Sequence, residues 1–327
     1  MAFSKDGHWV WDFWLADDGE RFHLYYLHAP TTLGDPDLRH RNARIGHAVS
    51  DDLLEWDDLG EVLSAGGPGD LDSSATWTGS VVRGDDGLWR MFYTGSRFLS
   101  PHDITNVESI GVAVSDDLHV WRKDPRLQLQ ADPAWYEILP DGTWHEEAWR
   151  DPWVFPDPDG EGWHMLVTAR ARGARSRRDR DSGVVGHARS ADLRHWTVQP
   201  PLSSPGSGFA HLEVPQSLRL AGRDRLLFSC DSAHLAGDRE GAAGGIWLAD
   251  ASSPAGPFDT AAAQLLTDER LYAGRVVEDR AGTPRLIAFE NSGSDGGFQG
   301  RITDPYELIV DGPEVRLGTF AYERKPA

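Results

Sequence analysis

Three carboxylates stand at the heads of short apolar runs, where a backbone could aim them at one point. Asp12 lies in Trp9-Val10-Trp11-Asp12-Phe13-Trp14 and Asp151 in Trp149-Arg150-Asp151-Pro152-Trp153-Val154-Phe155. Glu213 lies in His211-Leu212-Glu213-Val214-Pro215-Gln216. Proline follows the second and third of them, and it suits the first residue of a strand, where its missing N–H costs no ladder hydrogen bond. Taken alone, Arg150-Asp151-Pro152 reads as a loop carboxylate paired with the neighbouring arginine. Three such carboxylates in a tryptophan-rich setting suit glycoside chemistry. Aromatic faces stack on the apolar side of sugar rings, while carboxylates accept hydroxyl hydrogen bonds and handle the proton and the anomeric carbon.

What must position them is a repeat. Gly46-His47-Ala48-Val49-Ser50-Asp51-Asp52-Leu53-Leu54-Glu55-Trp56 is echoed by the segment from Gly111 to Trp121 and by the one from Gly186 to Trp196, with a degenerate copy over Gly245–Asp250. Each reads as a short strand, a Ser/Asp turn and a Trp that starts the next strand. A second unit precedes each, an apolar strand, an Asp/Gly-rich turn and another strand: Trp9–Leu15 and Phe22–Leu27 are the first pair, and four more follow. Four strands per unit and five units predict an all-β chain, a five-bladed β-propeller with four-stranded antiparallel blades and no C-terminal β-sandwich. The blades fall at roughly 8–63, 74–130, 146–204, 210–262 and 270–322 of a single domain over 1–327. In a propeller the first strand of each blade lines the central channel, so carboxylates that open blades one, three and four converge. Trp56, Trp121, Trp196, His47 and His187 recur at equivalent positions and are therefore assigned to blade packing.

Composition narrows the partners. A formal net charge of −20 excludes a basic footprint for nucleic acid or an anionic membrane and fits a neutral sugar. Cys230 is the single cysteine, so no internal disulfide forms. It falls in an apolar run as a small core residue. No signal-like or membrane-length apolar run is present, which gives a cytoplasmic expectation. The thirteen histidines show no metal-binding spacing, so no catalytic metal and no cofactor are expected. The arginine run within 171–181 reads as a solvated loop.

Trp11-Asp12-Phe13-Trp14, Trp77-Thr78-Gly79-Ser80, Arg150-Asp151-Pro152 and Glu213-Val214-Pro215-Gln216 together resemble, in order and spacing, the signatures of glycoside hydrolase families 32 and 68, the invertase, levanase and levansucrase enzymes. The resemblance implies a retaining β-fructofuranosidase or fructosyl transferase acting on sucrose or fructo-oligosaccharides. Asp12 would be the nucleophile on the anomeric carbon, Glu213 the general acid/base, and Asp151 the transition-state stabiliser, with Arg150 orienting it and keeping it ionised. Trp11, Trp77 and Ser80 would be substrate contacts, although Trp77 and Ser80 read equally well as packing residues. The acid is then expected to titrate high and the nucleophile low.

The sequence departs from both families. Val214 stands where family 32 has Cys and family 68 has Arg, and the Trp-Asp-Phe-Trp stretch is nearer family 68 than family 32. Glu146 and Glu147 are rival acids, set aside because they lie in a loop. Two other readings compete, an inverting arabinofuranosidase- or xylosidase-like five-bladed enzyme and a non-catalytic sugar-binding propeller. Oligomeric state and leaving group are open.

Overall fold

The computed structural model describes residues 2–142, 144–173, 180–293 and 296–321. Five sheets follow one another along the chain. Blade 1 is β1 (His8–Asp17), β2 (Phe22–Pro30), β3 (Arg44–Ser50) and β4 (Asp57–Leu63). Blade 2 is β5 (Ala75–Arg83), β6 (Trp89–Phe98), β7 (Asn106–Ser115) and β8 (Arg122–Leu129). Blade 3 is β9 (Trp149–Pro156), β10 (Trp163–Arg170), β11 (Gly183–Ser190) and β12 (Trp196–Gln199). Blade 4 is β13 (Glu213–Leu220), β14 (Arg223–Cys230), β15 (Gly245–Asp250) and β16 (Gln264–Asp268). Blade 5 is β17 (Leu271–Glu278), β18 (Pro284–Ser292), β19 (Phe298–Ile302), β20 (Tyr306–Asp311) and β21 (Glu314–Phe320). The pairing is antiparallel throughout, and each blade runs in sequence order from its inner strand outward. This is the predicted five-bladed propeller. Blade 5 departs from it, because the short β19 also pairs with β18. That extra strand closes the ring: Phe3 bridges to Ile302 and accepts the Ile302 N–H at 2.9 Å.

The repeated Ser/Asp turn works as its residue types dictate. Ser50 Oγ accepts the N–H of Leu53, and Asp52 Oδ1 accepts those of Leu54 and Glu55. Ser115 and Asp117 do the same for Leu118, His119 and Val120. Side-chain acceptors placed two and three residues ahead of a donor fix such turns. The leucine at the tip takes a left-handed φ of +67°, +65° and +62° at Leu53, Leu118 and Leu193, with its side chain buried in each case. A β-branched residue could not occupy that backbone without strain. The tryptophan after the turn packs onto the preceding blade: Trp121 meets Tyr25 edge-on with centroids 5.6 Å apart, and Trp196 meets Phe92 at 5.4 Å.

His47 and His187 are packing residues as well. His23 Nδ1 lies 2.9 Å from His47 Nε2, and His164 Nδ1 lies 2.9 Å from His187 Nε2. Both rings of each pair are buried and stacked. The apolar core sits between neighbouring blades. Phe92 and Ile110 of blade 2, for instance, share a cluster with Val154, Met165 and Val167 of blade 3. Cys230 is buried and free.

Candidate active site

Every inner strand loses its ladder register at the same level. Pairing shifts between Val10 and Phe13, Trp77 and Gly79, Glu213 and Gln216, and Tyr272 and Arg275, while in blade 3 the irregularity falls at Asp151-Pro152. A bulge bends its strand and re-aims the side chains beside it. Here the five bulges turn Asp12, Thr78, Asp151, Glu213 and Tyr272 into one cavity of about 410 Å³ at the end of the channel. Asp151 and Val214 occupy left-handed backbone, φ +59° and +53°, each held in it by a neighbouring blade. Thr94 Oγ1 accepts the Asp151 N–H at 2.9 Å, and the Val214 N–H donates to Asp151 Oδ2 at 3.1 Å.

The three carboxylates have different company. Asp12 accepts one hydrogen bond, from Thr78 Oγ1 at 2.6 Å. Asp151 accepts from Thr168 Oγ1 at 2.8 Å and from Val214 N, with Arg150 Nε 3.7 Å away. Glu213 meets Arg150 Nη2 at 2.8 Å, Tyr272 Oη at 2.6 Å and His211 Nε2 at 3.4 Å. Arg150 is the hub. Its guanidinium also donates to Glu146 at 2.8 Å and to the fully buried Glu108 at 3.2 Å. A planar five-donor cation that cannot deprotonate is the side chain able to serve that many acceptors at once.

These surroundings overturn the expected titration order in the protein by itself. Burial, reinforced by the negative charge of Asp151, pushes Asp12 up to about 7. Burial also pushes Asp151 up, against the pull of Arg150. Burial acts on Glu213 in the same sense, but His211, Arg150 and the Tyr272 hydrogen bond outweigh it and leave the carboxyl well below the usual range. The expected nucleophile therefore titrates high and the expected acid low. The reason is donor count: one hydroxyl against a guanidinium, a phenol and an imidazole.

Trp11 and Trp77 line the cavity as expected, and Trp77 Nε1 donates to the His40 carbonyl at 2.7 Å. Ser80 is not brought there. It is buried between blades, where its Oγ accepts the Val154 N–H at 3.0 Å, because it lies past the bulge and faces the blade interface. Of the rival acids, Glu146 does reach the cavity, held by Arg150. Glu147 turns away to accept the Leu139 N–H. The sequence reading missed Arg39, Thr78, His211, His234 and Tyr272, all in the cavity wall. The only cue for Thr78 and Tyr272 was their place in the first strands of blades 2 and 5. Arg39 comes from the 3-10 turn Pro36–Asn42, and its guanidinium lies 4.2 Å from the Phe298 ring centre. Among the described residues one group could hold a cation, His211, Asp231 and His234, but Asp231 already pairs with His234 Nδ1 at 2.8 Å. Part of the arginine run falls at 174–179, outside the described residues.

The sequence matches the family described as glycosyl hydrolases family 32 N-terminal domain over residues 14–298, a span that holds Asp151 and Glu213 and begins two residues after Asp12. A sucrose-6-phosphate hydrolase of Escherichia coli is 27% identical over 221 residues, covering 66% of this chain and 39% of its own length. A sucrose-6-phosphate hydrolase of Zymomonas mobilis is 25% identical over 317 residues, covering 89% and 55%. The chain thus spans about two fifths to about half the length of these curated relatives. Among solved structures, inulosucrase from Halalkalicoccus jeotgali superposes with a TM-score of 0.80 at 23% identity over all of this chain and 92% of its own. The β-fructofuranosidase of Microbacterium saccharophilum K-1 gives 0.75 at 18% identity, over 98% and 75%. At these identities the structural likeness is one of fold.

Proposed function

The chain belongs to glycosyl hydrolase family 32, and from that membership and the shape of the cavity we propose that it is a retaining enzyme acting on β-fructofuranosides such as sucrose or fructo-oligosaccharides, by hydrolysis or fructosyl transfer. The observation that carries the reading is the convergence of Asp12, Asp151 and Glu213 on one cavity through bulges in three different blades. In this reading Asp12 attacks the anomeric carbon and forms the fructosyl ester. Glu213 gives its proton to the departing oxygen, then takes one from water or an acceptor sugar. Asp151 grips ring hydroxyls, and its grip tightens as positive charge develops on the ring. Thr78 keeps Asp12 in its rotamer, and Arg150 with Tyr272 fixes Glu213.

The titration order bears on how the protons move. Asp12, Asp151 and Glu213 share one field, so the productive form, Asp12 ionised and Glu213 protonated, is one arrangement of a shared proton count. A sugar that displaces the donors around Glu213 and separates Asp12 from Asp151 favours that arrangement. Trp11 and Trp77 supply apolar faces for the ring and the leaving group. A cytoplasmic location belongs to the same reading and agrees with the single free cysteine.

The test is a screen of sucrose, inulin-type and levan-type oligomers for released fructose, followed by turnover in methanol. Methyl β-fructofuranoside by NMR supports retention, and the α product points to the inverting pentosidase-like mechanism. Absence of fructose from every donor removes the fructosidase reading.

A further inference from the structure

The four inner strands that carry Asp12, Asp151, Glu213 and Tyr272 continue past the cavity. Two or three residues on, roughly 10 Å deeper at the rise of a β-strand, Leu15, Trp153, Gln216 and Arg275 enclose a second cavity of about 160 Å³. Arg275 is 1% exposed. Its Nη1 donates to the carbonyls of Val214 and Pro215 at 3.2 and 2.8 Å. Its other edge, Nε and Nη2, has no hydrogen-bond partner, and neither has the buried Nε1 of Trp153, whose ring centre lies 5.1 Å from the guanidinium. No carboxylate among the described residues comes within ion-pair reach of Arg275, while Asp17 at the cavity edge is taken up by Arg280 at 2.7 Å. Gln216 offers no acceptor, since its Oε1 takes the Val276 N–H and its Nε2 donates to the Val276 carbonyl.

Three N–H donors without acceptors on two residues of one cavity, with a buried cation lacking a counter-charge, describe a missing anion. An uncompensated buried charge or unsatisfied donor is costly, and native interiors supply a partner. We propose that this second cavity binds one small, weakly hydrated monovalent anion of the chloride class, held by the Nε/Nη2 edge of Arg275 and by Trp153 Nε1. The apolar walls from Leu15, Phe22 and Val276 exclude phosphate or sulfate, which need more donors and more counter-charge. Burial pulls Arg275 down to about 10, and the more distant Asp151 and Asp12 offset this in part, so the cation persists at neutral pH. Because the opposite edge of the same guanidinium holds the two carbonyls that follow Glu213, the anion braces the strand that carries the acid/base from behind.

The experiment needs no sugar, so its outcome is independent of the proposed activity. Crystals of the full chain are soaked in bromide, and the anomalous signal is examined at Arg275. Density in contact with both Arg275 and Trp153 Nε1 is the expected result; water alone at that place overturns the site. In solution the melting temperature is compared in chloride and in gluconate at equal ionic strength. The wild type is expected to gain about 3 °C or more in saturating chloride. Arg275→Lys, which keeps the charge and loses the fork, should lose most of that difference. Trp153→Phe, which keeps the ring and loses one donor, should reduce it and serves if the lysine variant fails to fold. An equal chloride effect in wild type and Trp153→Phe overturns the proposal.

Discussion

Blades 1 and 3 are the same device at their outer turns and different devices at their inner ends. In each, an aspartate of the first hairpin lies 3.2 Å from a histidine of the second strand, Asp18 with His23 and Asp157 with His164. That histidine meets a histidine of the third strand at 2.9 Å. Arg21 and Arg189 cover the two aspartate turns in their own ways, but the buried relays match atom for atom. At the inner ends Asp12 keeps a single hydroxyl donor, whereas Asp151 has a hydroxyl, a backbone N–H and an adjacent guanidinium. Where the repeat is kept, side chains solve a packing problem that every blade shares. Where it breaks, the carboxylates have been given separate tasks.

The largest effects should come from breaking the inner ends. Asp12→Asn and Glu213→Gln are each expected to lower turnover at least about 10³-fold, because one removes the nucleophile and the other the proton donor. Both should keep the melting temperature close to wild type, since each change is isosteric. A loss of folding in step with a loss of rate would return Asp12 to a structural role. Next comes Arg150→Met. It leaves Glu108, Glu146 and Glu213 without their shared cation, and removing one member of a buried ionic cluster costs about 3–5 kcal/mol. Urea unfolding should show that loss, and turnover should fall with it. The outer half supplies the contrast. Trp121→Ala should cost about 3 kcal/mol through the cavity left against Tyr25, with kcat/KM within a factor of three of wild type.

The same contrast explains what could be read in advance. Strand–turn–strand periodicity, the Ser-Asp-Leu-Trp turns and the recurring His47 and His187 follow local rules, so the propeller and its packing histidines were legible in the sequence. Asp12, Asp151 and Glu213 were legible because they open blades. Glu146 was set aside as a loop residue, yet Arg150 draws it into the wall across a turn, a partnership that depends on three-dimensional reach. Ser80 was misplaced because a bulge at Thr78 shifts the side-chain alternation by one residue, so that Thr78 faces Asp12 and Ser80 faces the next blade. The titration order of Asp12 and Glu213 depends on donors from blades 2, 3 and 5, and spacing along one chain cannot reveal those.

The smallest and most discriminating effect concerns the two relays. Burial lowers the pKa of all four histidines, taking His47 and His187 to about 3. They are neutral in the fold, while in the unfolded chain they take up protons near 6.5. Unfolding therefore binds protons at acid pH: the relays' contribution is complete above about pH 6.5 and is lost as pH falls towards about 3, with a slope of up to about 1.4 kcal/mol per pH unit for each extra proton bound. The groups that face the rings are Asp18, Arg21 and His119 in blade 1, and Asp157, Asp159 and Arg189 in blade 3. His119 lies within 5.3 Å of His23 and His47, adding a third imidazole to blade 1 alone, so acid should open blade 1 before blade 3. Urea unfolding across this pH range should show a shallower acid slope in His47→Gln than in His187→Gln, and both shallower than wild type. Identical slopes in all three would place the acid sensitivity in the carboxylates instead and dissolve the equivalence of the two blades as a shared pH-dependent device.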